Sequence, residues 1–261
     1  MKRFVMKCGG STLAALPDAF FEDLTELQNG GMQPVIVHGG GPAINETLGK
    51  LGIESRFVNG LRVTDAATLD VVEMVLAGRI NKEIVRRLQR SGAKALGLSG
   101  SDARLIEARP VADADEIGFV GDVTGVNAEL IEGIARLGCL PVIAPIGIDA
   151  AGQRYNINAD TAAGAVASAL GVSAMIVVTD VPGIMRTADG EKRVLPQVTF
   201  AEIEEMIASG EIYGGMIPKV RAAMSCLHGD VQEVLIVDGS APRVLSRAFR
   251  EGNIGTRIVR G

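Results

Sequence analysis

The chain has 261 residues, of which 47% are hydrophobic and 22% are charged, values that are ordinary for a soluble globular protein. This composition excludes wholesale disorder and favours either one large α/β domain or two modest lobes. Aromatic residues make up only 3% of the chain, and 26 basic against 31 acidic residues give a net charge of −5. These values argue against a nucleic-acid-binding surface and against the aromatic belts of a membrane protein.

The three cysteines, Cys8, Cys139 and Cys226, are far apart and form no C-x-x-C pair. Because the chain also has only 2 histidines, the pattern disfavours a disulfide framework and a metal site and predicts a cytoplasmic protein. The segment 161–179 carries no charge and approaches the length of a membrane span. Gly171 divides it into an Ala-rich half and a β-branched half, so we expect a buried helix followed by a buried strand.

Short apolar runs alternate with amphipathic stretches along the chain, which is typical of βαβ units around a mainly parallel sheet. The runs predict six to eight core strands with helices on both faces, in two lobes that share one sheet. Strands are expected at 3–8, 34–38, 93–100, 141–146, 174–180, 233–238 and 256–260. Helices are expected at 20–27, from Pro42 onward, and at 64–90, 127–137, 159–170, 200–209 and 216–228.

Local signals refine the segment between the second and third strands. An Asn-Gly pair inside 56–63 is a strong turn signal and predicts a β-hairpin there. Thr64 then stands where the cap of a long helix is expected, and the apolar spacing carries that helix to Arg90. Residues 104–126 contain several polar breaks and are expected to form a more exposed β excursion.

Two glycine clusters directly follow predicted strands: Gly9 and Gly10 after the first, and Gly39 to Gly41 after the second. Glycines at the carboxyl end of a parallel strand allow backbone N–H groups to converge on an anion. Neither cluster matches the G-x-G-x-x-G or the P-loop fingerprint, so tight strand–helix turns are the alternative explanation. The turn is the better explanation for Gly9 and Gly10 alone, whereas three successive glycines favour an anion-binding loop.

Two lysines stand out because each lies next to a glycine pair. Lys7 is near the end of the otherwise apolar first strand, where burial of an ammonium is costly unless it meets an anion. Lys219 follows Gly214 and Gly215 near a predicted helix start, where a cation opposes the helix dipole unless a phosphate is also bound. A solvated lysine, on an edge strand or on the surface, is the alternative at both positions.

The sequence NINAD at 156–160 places two amides and a carboxylate ahead of the predicted helix. Either Asn158 or Asp160 is expected to cap that helix, while Asn156 and Asp160 have no evident local partner. The sequence TDVPGI at 179–184 reads as a turn at a strand end, which is also a position that can border a nucleotide.

Arg62 lies in the predicted hairpin and is suited to a forked contact with a carboxylate, although an exposed hairpin arginine explains it equally well. No Ser-His-Asp set, Cys-His pair or metal cluster competes with these residues. Lysines placed around developing negative charge, without a positioned base, are suited to phosphoryl transfer. The missing base favours a carboxylate acceptor, which is already ionised at pH 7, over a hydroxyl.

These motifs together closely resemble the amino acid kinase family, and within it the branch that phosphorylates N-acetyl-L-glutamate. The resemblance spans nearly the whole chain, and the combined set is specific although each piece alone is weak. GGGP and NGLRVT favour this branch over the carbamate, aspartate, glutamate 5-kinase and uridylate kinase branches. The motifs, in chain order, are KCGGS at 7–11, VIVHGGGP at 35–42, NGLRVT at 59–64, NINAD at 156–160, TDVPGI at 179–184 and GGMIPKV at 214–220.

The resemblance implies a three-layer α/β/α sandwich with a mainly parallel central sheet. Residues 1–172 would form an N-terminal lobe that binds acetylglutamate and makes a dimer. Residues 173–261 would form a C-terminal lobe that binds ATP, with Mg²⁺ carried by the nucleotide and no metal held by the protein itself. The implied catalytic residues are Lys7 and Lys219, which stabilise the transferring phosphoryl group, and Asp160, which holds both lysines in place.

The resemblance also implies binding residues for both substrates. For acetylglutamate these are Gly40, Gly41, Arg62 and Asn156, with Arg62 on the α-carboxylate. For the nucleotide they are Gly9, Gly10, Asp180, Val181, Pro182, Gly183, Ile184, Met185, Glu211, Ile212 and Tyr213.

The resemblance further implies a cytoplasmic homodimer whose partners are N-acetyl-L-glutamate and ATP, with no nucleic acid and no membrane. Members inhibited by arginine carry an additional N-terminal helix that joins dimers into a hexamer. Because only six residues precede Lys7, and two helical turns need about seven, we expect a dimer insensitive to arginine.

The expected activity is ATP-dependent phosphorylation of the side-chain carboxylate of N-acetyl-L-glutamate to N-acetyl-L-glutamyl 5-phosphate, a step of arginine biosynthesis. The closest alternative is a kinase for a related carboxylate, such as carrier-linked aminoadipate in lysine biosynthesis, since the phosphoryl machinery would be shared. A non-catalytic nucleotide or amino-acid sensor on the same scaffold is a further alternative. The presence of Lys7, Asp160 and Lys219 disfavours the sensor.

Overall fold

A computed structural model of the chain describes residues 3–172, 174–188, 191–227, 231–251 and 254–261. The strands are β1 (Arg3–Cys8), β2 (Gln33–His38), β3 (Phe57–Val58), β4 (Leu61–Arg62), β5 (Ala95–Ser99), β6 (Ile106–Pro110), β7 (Val120–Val126), β8 (Leu140–Ala144), β9 (Ile146–Ile148), β10 (Arg154–Ile157), β11 (Ala174–Thr179), β12 (Met185–Ala188), β13 (Glu191–Val194), β14 (Gln197–Thr199), β15 (Glu233–Asp238) and β16 (Thr256–Val259). The helices are α1 (Gly10–Ala15), α2 (Asp18–Asn29), α3 (Gly41–Lys50), α4 (Ala66–Glu73), α5 (Asn81–Arg90), α6 (Ala114–Ile117), α7 (Ala128–Arg136), α8 (Ala159–Ala169), α9 (Phe200–Ala208), α10 (Met216–Ser225) and α11 (Val244–Arg250).

Eight of the strands form one sheet, in the order β14–β16–β15–β11–β1–β2–β8–β5. All neighbours in it are parallel except β15 and β16, so the expectation of a mainly parallel core of six to eight strands is confirmed. β1 is an interior strand between β11 and β2, and the carboxyl ends of these three strands lie at the same edge of the sheet. In sheets of this kind, ligands bind at that edge.

The side chains of β1 alternate between the two faces of the sheet, and each face is covered by helices. Phe4, Met6 and Cys8 pack in an apolar cluster with residues of α2, α5 and α11. Val5 belongs to the cluster on the opposite face, with residues of α8, α9 and α10. Successive strand residues point to opposite faces, so Lys7 lies on the α8 face. The two layers of helices confirm the predicted α/β/α sandwich.

A smaller sheet lies beside the main one. β6, β7, β9 and β10 pair in a closed ring, while β3 and β4 form the predicted hairpin, with Asn59 and Gly60 at φ of 49° and 80° in its turn. The segment 104–126 forms the expected β excursion, and its polar residues Asp113, Asp115 and Asp122 are exposed. Its apolar residues face inward, since Ile106 and Ala108 belong to the main apolar cluster.

The expected helix at 64–90 forms in three parts: α4, a π-helical segment at Met74–Ile80, and α5. The prediction that Thr64 caps it is wrong. The Asp65 carboxylate caps α4 by accepting a hydrogen bond from the Thr68 N–H at 2.8 Å. Thr64 is instead buried, and its hydroxyl donates to the Arg62 carbonyl at 2.7 Å. A hydroxyl that is drawn into the interior by one partner is not available to cap the helix that follows.

Two strand and helix ends also differ from expectation. The strand expected at 141–146 ends at Ala144, and a separate strand begins at Ile146, because Pro145 has no N–H to donate to a ladder. α10 ends at Ser225 rather than 228, and residue 228 lies outside the described residues.

The uncharged segment 161–179 contains most of α8 followed by β11, as predicted. Among the described residues, no helix combines the length and apolar content that crossing a bilayer requires.

The hairpin of β12 and β13, the edge strand β14 and helix α11 were not anticipated. The start of α11 is capped from far along the chain. The buried Asp23 carboxylate accepts hydrogen bonds from the Leu245 N–H at 2.9 Å and the Ser246 N–H at 3.2 Å. Because this cap comes from α2, no local sequence signal marks where α11 begins.

Candidate active site

The two glycine clusters meet at the carboxyl-end edge of the sheet. Cys8 pairs with His38 in the β1–β2 register, so the glycines that follow the two strands lie side by side. The Gly39 N–H donates to the Cys8 carbonyl at 2.9 Å. A Cβ atom on Gly10 would lie 2.5 Å from Gly40 Cα, which is closer than a real side chain comes. Backbone contact therefore requires glycine here, while anion binding by these loops stays a prediction.

Lys7 is largely buried at the end of an interior strand, so the alternative of a solvated edge-strand lysine is wrong. Its side chain is 13% exposed, and its Nζ lies 2.8 Å from Oδ1 of Asp160. Taking two charges out of water costs several kcal/mol per ion unless hydrogen bonds compensate. A buried ammonium with one carboxylate partner is thus poised to meet a second anion at the same edge of the sheet.

Asp160 owes its position to the start of α8. Asn158 is the cap of that helix, since its Oδ1 accepts hydrogen bonds from the N–H groups of Asp160 at 2.8 Å and Thr161 at 3.2 Å. Of the two candidates, the cap is therefore Asn158, and the Asp160 carboxylate is free to pair with Lys7. The preceding residue, Ala159, has its Cβ 3.6 Å from the Cβ position of Gly39, so α8 begins against the second glycine loop.

Cys226 also contacts Asp160, a contact that the sequence did not suggest. Its Sγ lies 3.5 Å from the Asp160 carbonyl oxygen and 3.8 Å from Oδ1. Burial, and next the nearby Asp160 charge, raise the pKa of the Cys226 thiol well above its ordinary value. The thiol therefore stays protonated at neutral pH and is a weak hydrogen-bond donor to Asp160. Cys226 directly follows α10, the helix that carries Lys219, so it joins that helix to the carboxylate.

The expectation that Asp160 holds both lysines is wrong in this structure. Lys219 Nζ is bonded instead to Oδ1 of Asp180, the residue that follows β11. The side chain of Lys219 is 31% exposed and that of Asp180 is 70% exposed, so this pair is far wetter than the pair between Lys7 and Asp160. The reason is positional: the first turn of α10, with Lys219, meets the end of β11, whereas the far end of α10 packs on Asp160.

Arg62 is buried, so the alternative of an exposed hairpin arginine is wrong. Its guanidinium donates to Ser55 Oγ and to the Gly41 carbonyl, the latter at 3.4 Å, and stands 4.7 Å from the centre of the Phe57 ring. Burial lowers the pKa of Arg62, but a guanidinium remains charged at pH 7. Among the described residues no carboxylate forms an ion pair with it. The arrangement leaves an arginine charge available for a carboxylate beside the second glycine loop.

Asn156 is joined to Arg62 through Thr64. The Asn156 side-chain amide donates to the Thr64 hydroxyl at 3.2 Å, and that hydroxyl donates onward to the Arg62 carbonyl. β10 thereby brings Asn156 to the end of the β3–β4 hairpin, although the two residues are far apart in the chain. Sequence reasoning missed the role of Thr64 because its position directly before α4 suggested a helix cap.

A cavity of about 460 Å³ lies on the C-terminal half of the chain. Most residues expected to border a nucleotide line it: Val181, Gly183, Ile184, Met185, Glu211, Ile212 and Tyr213. Asp180 and Pro182 are not among its lining residues, and neither are Gly9 and Gly10, which stay with the first glycine loop. The structure thus brings together the two separate chain segments that the resemblance assigned to the nucleotide.

Two basic residues of this cavity were missed. Arg186 and Lys192 line it from the β12–β13 hairpin, and Arg186 Nε donates to Glu211 Oε2 at 2.9 Å across the cavity. Because the sequence analysis did not predict this hairpin, it assigned no role to these two basic residues. Within the described part of the chain, no group of three or more His, Cys, Asp or Glu side chains is arranged to hold a metal ion.

The fold and the residues of this site indicate the protein family to which the chain belongs. The model of the amino acid kinase family matches residues 2–238, and the chain belongs to that family. The crystal structure of smu.665 from Streptococcus mutans superposes with a TM-score of 0.82 at 32% identity and covers 99% of both chains. Carbamate kinase from Giardia lamblia bound to AMP-PNP, at 16% identity and a TM-score of 0.69, shares the fold.

Curated relatives indicate which branch of the family the chain is similar to. The chain is 44% identical to the acetylglutamate kinase of Syntrophomonas wolfei, over 99% of this chain and 91% of the relative. It is 49% identical to the acetylglutamate kinase of Halalkalibacterium halodurans, over 90% of this chain and 89% of the relative. The family resemblance drawn from the motifs is confirmed, and its branch agrees with these relatives.

The contact between the glycine loops predicts a stability effect. Gly10→Ala should destabilise the protein by about 1–3 kcal/mol, because its Cβ would overlap the Gly40 backbone. Gly49→Ala is the matched control, since a Cβ there meets nothing within 4 Å and alanine is favoured inside α3. Urea denaturation measures both. Equal stability of the two variants would contradict the close contact.

The pair between Lys219 and Asp180 predicts a titration effect. The Lys219 hydrogen bond, and to a smaller extent its charge, lower the pKa of Asp180 because they favour the ionised carboxylate. Lys219→Met should therefore raise the pKa of Asp180, as measured by carboxyl-carbon NMR. The pKa of Asp149, which is lowered mainly by the Gln153 N–H, should not move. An unchanged Asp180 titration would show that the two side chains do not pair in solution.

Proposed function

We propose that this protein is an ATP:N-acetyl-L-glutamate 5-phosphotransferase, which makes N-acetyl-L-glutamyl 5-phosphate in arginine biosynthesis. The observation that carries the proposal is the buried Lys7 ammonium, held by Asp160 at the edge of the sheet where the two glycine loops meet. Relatives 44–49% identical over nearly the whole chain are acetylglutamate kinases, which supports the choice of substrate. The family supports the use of ATP.

The transfer needs no base from the protein. The acceptor carboxylate is ionised at pH 7, so its oxygen attacks the γ-phosphorus of ATP directly. A bond forms between that oxygen and phosphorus, the bond from phosphorus to the β–γ bridging oxygen breaks, and ADP leaves with the electron pair. Charge spreads over the transferring oxygens during this step, and an ammonium in a water-poor site stabilises it strongly. Lys7 supplies that ammonium on one side.

Lys219 supplies the second ammonium after it leaves Asp180. Exposed ion pairs contribute about 0–1 kcal/mol, so the exchange of Asp180 for a phosphate oxygen costs little. The first turn of α10 then carries Lys219 to the nucleotide, and Cys226 keeps the other end of that helix against Asp160. Lys7 is thus preorganised, whereas Lys219 is recruited when the phosphates arrive.

The donor set fits a magnesium ion that arrives with the nucleotide. Mg²⁺ keeps several waters and binds through phosphates and one or two carboxylates rather than in an all-protein cage. Asp180, exposed at the end of β11 near the nucleotide cavity, is a carboxylate of this kind. When bound, the ion neutralises part of the phosphate charge.

The acceptor is held by the N-terminal half of the chain. The Arg62 guanidinium receives the α-carboxylate of acetylglutamate, because it is buried, charged and paired with no described carboxylate. Asn156 offers its amide beside it, and the backbone N–H groups of Gly40 and Gly41 complete the contacts. Residues 1–172 form the lobe for acetylglutamate and residues 173–261 the lobe for ATP, with both contributing strands to one sheet.

The protein acts as a cytoplasmic homodimer in this proposal. β5 is an edge strand of the main sheet, and edges with exposed apolar side chains invite pairing with another chain. Leu96 on β5 and Met74 at the start of the π-helical segment are both exposed. The surface formed by these two elements is the dimer contact that we expect.

A hydroxamate assay tests the reaction. The enzyme with MgATP and N-acetylglutamate should form an acyl phosphate, trapped by hydroxylamine, together with ADP. Lys7→Ala and Lys219→Ala should each lower kcat by about 10²–10³-fold, because each lysine acts mainly as charge develops. Lys50→Ala, which removes an exposed lysine paired with Glu46, is the control and should leave kcat unchanged.

Other outcomes of that assay would contradict the proposal. Turnover of carrier-linked aminoadipate without turnover of N-acetylglutamate would assign the chain to lysine biosynthesis. ATP binding without acyl phosphate would assign it to a sensor. Near wild-type kcat in Lys219→Ala would remove that lysine from the mechanism.

The role of Arg62 predicts a selective change in KM. Arg62→Ala should raise KM for acetylglutamate by about tenfold or more, since a charged hydrogen bond to a carboxylate contributes roughly 1.5–3 kcal/mol. KM for ATP should be nearly unchanged. Arg56→Ala, in an exposed arginine just before the same hairpin, is the matched control and should change neither constant. Parallel increases in both KM values for Arg62→Ala would refute the assignment.

A further inference from the structure

His38 is fully buried at the end of β2 and has no part in the transfer described above. Its Nδ1 lies 3.2 Å from the Gly39 carbonyl oxygen, and its Nε2 lies 3.2 Å from the side-chain nitrogen of Asn81. Asn81, at the start of α5, is also fully buried. A buried imidazole with a polar partner on each ring nitrogen, directly before the second glycine loop, calls for an explanation.

The partners of Asn81 determine which way its amide points. Its Nδ2 also faces the carbonyl oxygens of Val142 at 2.9 Å and Leu98 at 3.3 Å, and its Oδ1 accepts from Lys82 Nζ at 3.0 Å. A flipped amide would set its oxygen against two carbonyl oxygens and its nitrogen against an ammonium. The amide therefore turns its nitrogen, and not its oxygen, to His38 Nε2, and its two hydrogens are shared among three acceptors.

The orientation of Asn81 in turn fixes the proton on His38. Because an amide nitrogen cannot accept a hydrogen bond, Nε2 carries no proton; the neutral ring is protonated on Nδ1, and this N–H donates to the Gly39 carbonyl. Burial, opposed by the Gly39 hydrogen bond and assisted by the Lys82 charge, lowers the pKa of His38 to about 4. The ring is therefore neutral at pH 7, with one defined tautomer.

The Gly39 carbonyl and the Gly40 N–H belong to one peptide group. That group is planar and trans, so a carbonyl anchored on His38 points the N–H to the opposite side. Gly40 is buried, yet its N–H donates to no acceptor among the described residues. The backbone N–H groups of buried residues are rarely left without a partner, and this one lies at the loop expected to receive the substrate.

The π-helical segment directly before Asn81 contacts the next residue of the loop, Gly40. The side chains of Leu76 and Ile80, in the π-helical segment, lie 2.6 and 2.4 Å from the Cβ position of Gly40. On the other side, a Cβ on Gly97 would lie 2.0 Å from Asn81 Oδ1, so β5 leaves room for the amide. Polar contacts through His38 and apolar contacts at Gly40 hold the same peptide group.

We propose that His38 is a positioning residue: its Nδ1–H, bonded to the Gly39 carbonyl, holds the Gly39–Gly40 peptide so that the Gly40 N–H faces the acetylglutamate carboxylate and the transferring phosphoryl group. This inference rests on the proposed function. His38 touches neither substrate and moves no proton. Its effect is geometric, and displacement of a catalytic contact by about 1 Å can cost about 10²-fold in rate.

Two variants of His38 separate its two contacts. In His38→Asn the amide nitrogen occupies the place of Nδ1 and can still donate to the Gly39 carbonyl. In His38→Gln the longer amide reaches Asn81 instead and leaves that carbonyl without its donor. His38→Asn should therefore keep kcat/KM for acetylglutamate close to wild type, whereas His38→Gln should lower it by about 10- to 100-fold.

A stability control excludes a merely structural role. Ser246→Ala, in α11, removes a buried hydrogen bond to Asp23 of α2, so it should lower Tm without changing kcat/KM. If the kinetic losses of the His38 variants simply follow their Tm values, or if His38→Gln is as active as His38→Asn, the positioning role is refuted.

Nitrogen NMR tests the hydrogen bond in the wild-type protein without any variant. The chain has 2 histidines, and the spectrum should contain one with Nδ1 protonated and Nε2 free, unchanged between pH 7 and pH 5.5. A signal for His38 with the proton on Nε2, or on both nitrogens, would overturn the inference. Wild-type protein without kinase activity would refute the proposed function and the positioning role together, while the tautomer would still report the hydrogen bond.

Discussion

The site depends on one interaction, which holds a positive charge at the buried end of β1. The Lys7 ammonium is paired with Asp160 at 2.8 Å, and both side chains are largely withdrawn from water. Such a pair is a poor means of stabilising a fold, because desolvation opposes the attraction between the charges. Its value is chemical: a fixed cation at the carboxyl edge of a parallel sheet, next to backbone N–H groups, attracts the anions that phosphoryl transfer brings together.

The second lysine, Lys219, lies in a more exposed environment than Lys7. Lys219 and Asp180 are solvated, so their attraction is weak and either partner exchanges readily for another charge. One cation held in place and one that can be recruited suit a reaction in which the nucleotide must enter and leave. α10 links the exposed pair of Lys219 and Asp180 to the buried pair of Lys7 and Asp160. Its first turn carries Lys219, and the residue after its last turn, Cys226, lies against Asp160.

The second glycine loop is held from several directions. Gly39 is bonded to β1, Gly40 contacts Gly10 and the π-helical segment, and Gly41 accepts from Arg62. A glycine-rich segment is flexible in isolation, and these contacts remove that freedom. π-helical segments often occur at functional sites, and this one places two apolar side chains and the start of α5 against the loop.

Local sequence patterns determined where the main strands lie along the chain, the hairpin turn, the glycine clusters and the two lysines beside them, because each depends on neighbours in the chain. Only the tertiary structure decided that Lys219 meets Asp180, that Thr64 links Arg62 to Asn156, and that α11 begins on a distant carboxylate. Those pairings join segments that are remote in sequence, and several carboxylates and hydroxyls compete for each partner. Strand register and helix packing decide which of the possible partners meet, and local sequence propensity carries no information about either.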